Sequence, residues 1–319
     1  MADIKTRLLI ISDTHADNKI RLPTLHEGVD VAIHCGDLTE GSELAEYRTT
    51  LNLLQSINAP LKLVIAGNHD FTLDTPSHQK KVAEATRIFS ADPALMNKKY
   101  GDFGDARRLL DDKASEGIIF LDEGTHHFNL ANGAHLTVYA SPYTPSVETD
   151  WGFQYKCRDK WRAGDSHDFN IGRSTDIVIT HGPPEGVLDR TASKQRIGCQ
   201  QLFAAVAKAK PRLHCFGHVH KGWGAKAVTW RADVGENPTH FSAIDNGASA
   251  EIASLARLPS QNEHGYMYTS HCAGDEHPVI PGQSTLFVNA ALQPTSEEEG
   301  PHLPWVIDLE LPPQTTAAA

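Results

Sequence analysis

Six short apolar runs govern what this chain can fold into, because each is too short for a buried helix and closes at glycine or a polar residue. They read RLLIISDTH, DVAIHCGD, LKLVIAGNHD, LTVYASPY, DIVITHGPP and RLHCFGHVH. Their length and β-branched content suit buried strands. Between them, residues 44–57, 77–89 and 199–208 carry helical periodicity, the last in an alanine-rich setting. Strand and helix alternate through the first two thirds of the chain, which is the pattern of an α/β fold.

The chemically loaded residues fall at the C-terminal ends of these runs, the edge at which open α/β sheets bind ligands. Asp13 and His15 close the first run and Asp37 follows Gly36 after the second. GNHD supplies Asn68, His69 and Asp70, His181 precedes a rigid Gly-Pro-Pro exit, and GHVH supplies His218 and His220. Each signal alone is ordinary; a GD or an Asx-type turn at a strand end needs no function. The conjunction is different: DxH, GD, GNHD, H and GHxH occur in that order, each at a predicted strand end. They offer two carboxylates, one amide oxygen and four imidazoles, a set suited to manganese, iron or zinc rather than calcium.

Composition narrows the partners. The 319 residues carry 40 acidic against 29 basic side chains, a formal charge of -11, which repels bulk nucleic acid. Small anions remain acceptable where bound cations reverse the field. The five cysteines are widely spaced without a CxxC pair, so reduced structural thiols are expected. The N-terminal MADIKTRLLIISDTH lacks a secretory signal's uninterrupted apolar core, and nowhere do about 18 apolar residues run together. A cytoplasmic protein without a membrane partner is expected. We read one domain over 1–311, with insertions near 90–117 and 230–281, and a disordered proline-led tail at 312–319.

The ordered motifs resemble those of the calcineurin-like metallophosphoesterase superfamily and span Asp13 to His220. SPYTP, WGFQY, DIVITHGPPEGVLD and FVNAALQP are further similar to stretches in the metallophosphoesterase-domain-containing proteins of animals and fungi. The resemblance implies a two-sheet β-sandwich flanked by helices, holding two divalent or trivalent ions (Mn²⁺, Fe²⁺/Fe³⁺ or Zn²⁺). By it, Asp13, His15 and His220 bind the first ion, Asn68, His181 and His218 the second, and Asp37 bridges them. The superfamily's Ser/Thr protein phosphatases carry GDxVDRG and GNHE, whereas this chain reads GDLTEG and GNHD. The arginine those enzymes use on phosphate is missing, and the motifs look more like those of small-molecule phosphodiesterases, including enzymes of cyclic nucleotides.

The expected activity is hydrolysis of a small phosphodiester such as a nucleotide. Two cations about 3.5–4 Å apart would hold a water, lower its pKa and let the resulting hydroxide attack phosphorus in line. His69 is the candidate to stabilise the phosphoryl charge or protonate the leaving oxygen, and Asp70 the candidate to orient a neighbouring ligand. Trp151, Phe153 and Tyr155 alternate in WGFQY, so a strand would put all three on one face as a base-stacking wall or as core. His34 reads as a strand residue facing away from the ions. His126 and His127, adjacent on a strand, face opposite sides and are left out of the site. The alternative function is a catalytically weak metal-binding scaffold of the same fold. A binuclear zinc amide or lactone hydrolase is disfavoured by the lack of an HxHxDH cluster.

Overall fold

The computed structural model describes residues 2–25, 27–148, 150–156, 166–258, 264–296 and 299–314. In chain order the strands are β1 (Ile4–Ile11), β2 (Val31–His34), β3 (Leu61–Val64), β4 (Ile118–Phe120), β5 (Gly124–Asn129), β6 (His135–Ser141), β7 (Thr144–Ser146) and β8 (Gln154–Lys156). There follow β9 (Ile177–Thr180), β10 (Leu213–Phe216), β11 (Gly224–Trp230), β12 (Ile244–Ser254), β13 (Met267–Ser270), β14 (Ser284–Asn289) and β15 (Trp305–Leu311). The helices are α1 (Leu44–Gln55), α2 (Thr75–Phe89), α3 (Pro93–Tyr100), α4 (Asp105–Asp111), α5 (Gln200–Ala209) and α6 (His240–Ala243).

Two mixed sheets face each other, as the sandwich expectation requires. The first runs β13-β15-β1-β2-β3-β4 and the second β12-β11-β14-β10-β9-β6-β5, with β7 and β8 paired separately. Strand alternation explains the layers. In β1, Leu8 and Ile10 join Val31, Ile33 and Leu63 against Val138, Ile177, Ile179, Leu213 and Val288 of the second sheet. Leu9 and Ile11 point the other way and are covered by Tyr47, Leu51 and Leu54 of α1. On the far side of the second sheet, Val178, Phe216 and Phe287 are covered by Leu202, Phe203 and Val206 of α5. A sheet buried on both faces needs continuous apolar runs, which is what β1, β2, β9 and β10 supply.

The two expected insertions differ in kind. Residues 90–117 fold as α3, α4 and a 3-10 turn, with α4 burying Ala106 and Leu110. Residues 230–281 hold α6, β12 and β13, and these strands extend different sheets: β12 pairs antiparallel with β11, and β13 parallel with β15. Part of the segment read as a tail is held: Pro313 bridges Ala134, and the Gln314 amide donates to the Leu130 carbonyl at 2.8 Å. Residues 315–319 lie outside the described residues. No described helix is long and apolar enough to cross a membrane.

Parallel pairing positions the site. β1, β2 and β3 are parallel neighbours in one sheet, and β9 and β10 in the other, so their C-terminal ends open onto one edge of the sandwich.

Candidate metal centre

Five strand-end loops meet at that edge, and pairing continues past the strands themselves. The Asp13 amide donates to the Gly36 carbonyl at 2.9 Å and the His15 amide to the Asp37 carbonyl at 3.1 Å. The backbone is left-handed at Asp13 (φ 52°), His15 (45°), Asp37 (54°) and His218 (65°). Asp and His tolerate this region better than most residues, yet holding four of them there costs free energy that the surrounding packing must offset. Two glycines make room for the carboxylates. A Cβ at Gly67 would stand 2.2 Å from Asp37 Oδ1, and one at Gly217 would stand 1.9 Å from Asp13 Oδ2.

The structure gathers all seven expected ligands. Asp13, His15 and His220 hold their donor atoms within 4.8 Å of one another, and so do Asp37, His181 and His218. Asn68 joins the second group, its Oδ1 2.9 Å from His181 Nε2. Asp37 lies between the groups, with Oδ2 3.3 Å from His181 Nε2 and 3.6 Å from His15 Nε2. Each group draws on both sheets: Asp13, His15 and Asp37 follow strands of the first, and His181, His218 and His220 follow strands of the second.

Outer contacts fix which nitrogen faces inward. His181 Nδ1 donates to the Cys35 carbonyl at 3.0 Å, leaving Nε2 toward Asp37 and Asn68. His15 Nδ1 lies 2.7 Å from Glu40 Oε2, and its Nε2 is buried without a hydrogen-bond partner. A histidine oriented by a carboxylate or carbonyl, with its other nitrogen bare, is the usual arrangement of a metal ligand. The Asp13 carboxylate also accepts the His218 amide, at 3.0 Å to each oxygen.

Electrostatics agree with a cation at this place. Burial would push the Asp13 and Asp37 carboxyls up, but the facing histidines outweigh it and both are held well below the carboxylate range. Burial would also lower His15 and His181. The Glu40 contact and the Asp37 and Asp13 charges raise His15 to about 9, and Asp37 chiefly raises His181 to about 9. Burial dominates at His218, which falls to about 4. The two carboxylates thus favour positive charge on the facing imidazoles, a demand that a bound cation would meet. Hard carboxylates, an amide oxygen and neutral imidazoles fit Mn, Fe or Zn.

His69 sits at the mouth. Its backbone amide donates to Asp37 Oδ1 at 2.9 Å, and its Nδ1 lies 2.7 Å from the Glu40 carbonyl oxygen. The His15, Asp37 and His69 donors also lie within 4.8 Å of one another, so His69 stands within ligand range of the centre as well. Among the described residues, Asp70 makes no side-chain hydrogen bond to a ligand residue. It accepts from the amides of Gly67 (2.8 Å), Leu38 (3.1 Å) and Thr39 (3.0 Å), clamping the loop of Asp37 to the GNHD turn. Burial, followed by the Asp37 charge, raises its carboxyl to about 6.

Other sequence readings resolve differently. His34 is buried beneath the site with Nε2 2.9 Å from Thr14 Oγ1, and burial pushes it down to about 3. His126 and His127 lie on β5, away from these loops. WGFQY does not present one face: Phe153 is left-handed (φ 51°), which breaks the strand alternation, and only Gln154–Lys156 is strand. Trp151 is neither core nor a free wall, because it stacks on His69 with ring centroids 4.3 Å apart. Sequence reasoning missed Glu40, weighing GDLTEG only for its absent arginine. The available signal was a carboxylate three residues past Asp37 in the same strand-end loop. Cys35, Cys215 and Cys272 are free and buried, as expected of structural thiols, and Cys199 is buried as well; Cys157 lies outside the described residues.

A two-sheet α/β sandwich with this edge is the architecture of a metallophosphoesterase. The chain belongs to the calcineurin-like phosphoesterase family, whose sequence profile matches residues 6–222. It is similar to metallophosphoesterase domain-containing protein 1 of Homo sapiens and Mus musculus, 32% identical over 229 residues, covering 70% of this chain and 63% of theirs. A probable rhamnogalacturonate lyase C of Emericella nidulans is 32% identical over 232 residues, 72% of this chain but 18% of that protein. A UPF0046 protein of Caenorhabditis elegans is 29% identical over 226 residues, 68% and 52% respectively. The chain therefore spans less than two thirds of the length of each of these relatives.

Proposed function

We propose that the chain is a dinuclear metal-dependent phosphoesterase whose substrate is a small phosphodiester such as a nucleotide. The observation that carries this reading is the sharing of one buried carboxylate, Asp37, between two groups of donors. Two cations bound there would supply Lewis-acid polarisation of phosphoryl oxygens and a water of lowered pKa.

The chain's own residues supply the rest. Asp13, His15 and His220 would hold one ion, Asn68, His181 and His218 the other, and Asp37 both. With Nδ1–H directed to the Glu40 carbonyl, His69 keeps Nε2 as the atom that gives or takes a proton. Proton delivery to the departing oxygen is the role we assign to it. Asp70 holds the loops that carry Asp37 and Asn68 in register.

Two features favour a diester over a phosphoprotein. GDLTEG brings no arginine, and the Glu40 carboxylate, 66% exposed, stands at the mouth instead. A fixed negative charge there opposes a dianionic monoester more than a monoanionic diester. The overall charge of -11 likewise favours a small substrate over bulk nucleic acid, and we place the activity in the cytoplasm.

The test is reconstitution with Mn²⁺, Fe²⁺ or Zn²⁺, followed by turnover of bis(4-nitrophenyl) phosphate, 4-nitrophenyl phosphate, cyclic nucleotides and dinucleotides. Diester turnover above monoester turnover is expected. A protein that binds two ions per chain and turns over none of these would instead be a metal-binding scaffold.

A further inference from the structure

Trp151 differs from the other described tryptophans. Trp223, Trp230 and Trp305 are buried in the core, whereas Trp151 is 37% exposed. Its ring stacks on the His69 imidazole, centroids 4.3 Å apart and planes 29° apart, and the Lys81 ammonium lies 4.8 Å over the same ring. The same ammonium lies 4.8 Å over Phe71, two residues past His69. Simple packing would bury the indole, and a platform for a substrate base would need the surface that His69 occupies.

The backbone around Trp151 is fastened to the turn that carries His69. The Gly152 amide donates to the Asn68 carbonyl at 2.9 Å, and the Phe153 amide to Asp74 Oδ2 at 2.8 Å. The Trp151 amide donates to Gln154 Oε1 at 3.1 Å, and Ser77 Oγ to the Trp151 carbonyl at 3.4 Å. Contact is close enough that a Cβ at Gly152 would stand 2.7 Å from Phe71 Cα. A ring carried on a backbone so fixed can hold a neighbouring ring in place.

His69 requires such a hold. It is half-exposed, its Nδ1 contact to the Glu40 carbonyl is one point of attachment, and the T-shaped approach of His15 at 4.6 Å constrains one edge. Rotation about the χ2 bond of histidine is soft. The stacked indole blocks that rotation, and a proton donor displaced by about 1 Å loses on the order of 10²-fold in rate.

We propose that Trp151, braced by Lys81, is a positioning residue that fixes the His69 imidazole for proton transfer. The proposal rests on the phosphoesterase reading for its kinetic consequence, though the stacking can be read without it.

The experiment combines turnover of bis(4-nitrophenyl) phosphate by metal-loaded protein with the imidazole proton resonances of His69, assigned by loss in His69→Ala. Trp151→Leu is expected to lower kcat about 10- to 100-fold with KM within about 2-fold, and Trp151→Phe, which keeps a ring in place, to restore most of it. In a His69→Ala background the same Leu substitution is expected to do nothing further, the signature of two residues acting as one unit. The His69 resonances, shifted upfield by the indole, are expected to move back in Trp151→Leu. A rise in KM with kcat unchanged would overturn the proposal and make the ring a substrate contact. A full Leu effect in the His69→Ala background would also overturn it. If no variant and no wild-type preparation turned over phosphoesters, the phosphoesterase reading would have failed, and the resonances alone would decide the positioning: unmoved signals would sink it.

Discussion

His181 and Cys35 join the two sheets at the site: the imidazole that ends β9 donates from Nδ1 to the carbonyl that follows β2, 3.0 Å away. That bond turns Nε2 onto Asp37, at 3.3 Å, and makes the carboxylate the meeting point of both donor groups. Asp37→Asn should therefore remove metal and activity together, with bound metal by mass spectrometry falling below one ion per chain. Full metal occupancy in that variant would refute the bridging role.

Glu40 reaches His15 with its side chain and His69 with its carbonyl. Glu40→Ala keeps the carbonyl and removes the carboxylate, so only the Asp13, His15 and His220 group should suffer. Loss of such an orienting partner typically weakens metal binding by about 10- to 100-fold. Competition with a chromophoric chelator should resolve one weakened site and one unchanged; two unchanged affinities would leave the contact without a role.

The His69 side chain can be deleted without disturbing Asp37, because the hydrogen bond between them uses the backbone amide. His69→Ala should lower turnover by about 10²- to 10⁴-fold at preserved metal content. Unaltered kcat would take His69 out of the mechanism.

Metal-free protein should lose stability as pH rises from about 6.5 to 9. Burial alone would lower both His15 and His181, but Glu40, Asp37 and Asp13 raise His15 to about 9, and Asp37 followed by Asp13 raises His181 to about 9. Their contribution is complete below the unfolded value of about 6.5 and disappears as the folded groups deprotonate. Bound metal replaces those protons, so urea midpoints of the loaded protein should be flat over the same range. Parallel curves with and without chelator would contradict this.

His214 has the opposite sign. It is fully buried, its Nε2 lies 2.8 Å from Thr180 Oγ1, and burial pushes it down to about 3. The unfolded chain then binds the extra proton, so stability is complete above about pH 6.5 and falls as pH drops toward 3. Each such group adds a slope of up to about 1.4 kcal/mol per pH unit. His214→Gln, which can still donate to Thr180, should flatten the acid limb of urea-derived stability by that slope; an unchanged limb would place the acid sensitivity elsewhere.

Much of this is legible in the sequence. Residues 44–57, 77–89 and 199–208 became α1, α2 and α5; α1 and α5 bury apolar faces against the sheets, whereas α2 buries only His78. The seven donors could be read because metal chemistry restricts residue types and parallel strands restrict where they stand. What escaped depended on contacts distant in sequence. Glu40 becomes meaningful only once its loop lies over His15, and Trp151 only once residues 150–156 fold back onto the GNHD turn. The left-handed backbone at Asp13, His15, Asp37 and His218 carries no sequence signal either, since these are not glycines. β12 and β13 were hidden in a stretch that mixes glycine, serine and histidine without order, and their partners lie in different sheets.

Each donor group takes residues from both sheets, so neither group exists in one sheet alone. An ion seated there would act as a rivet through the sandwich, tying the two halves together at that edge. A coloured ion such as Co²⁺ placed there would report whether the donors of both halves are in register, legible without any substrate at all.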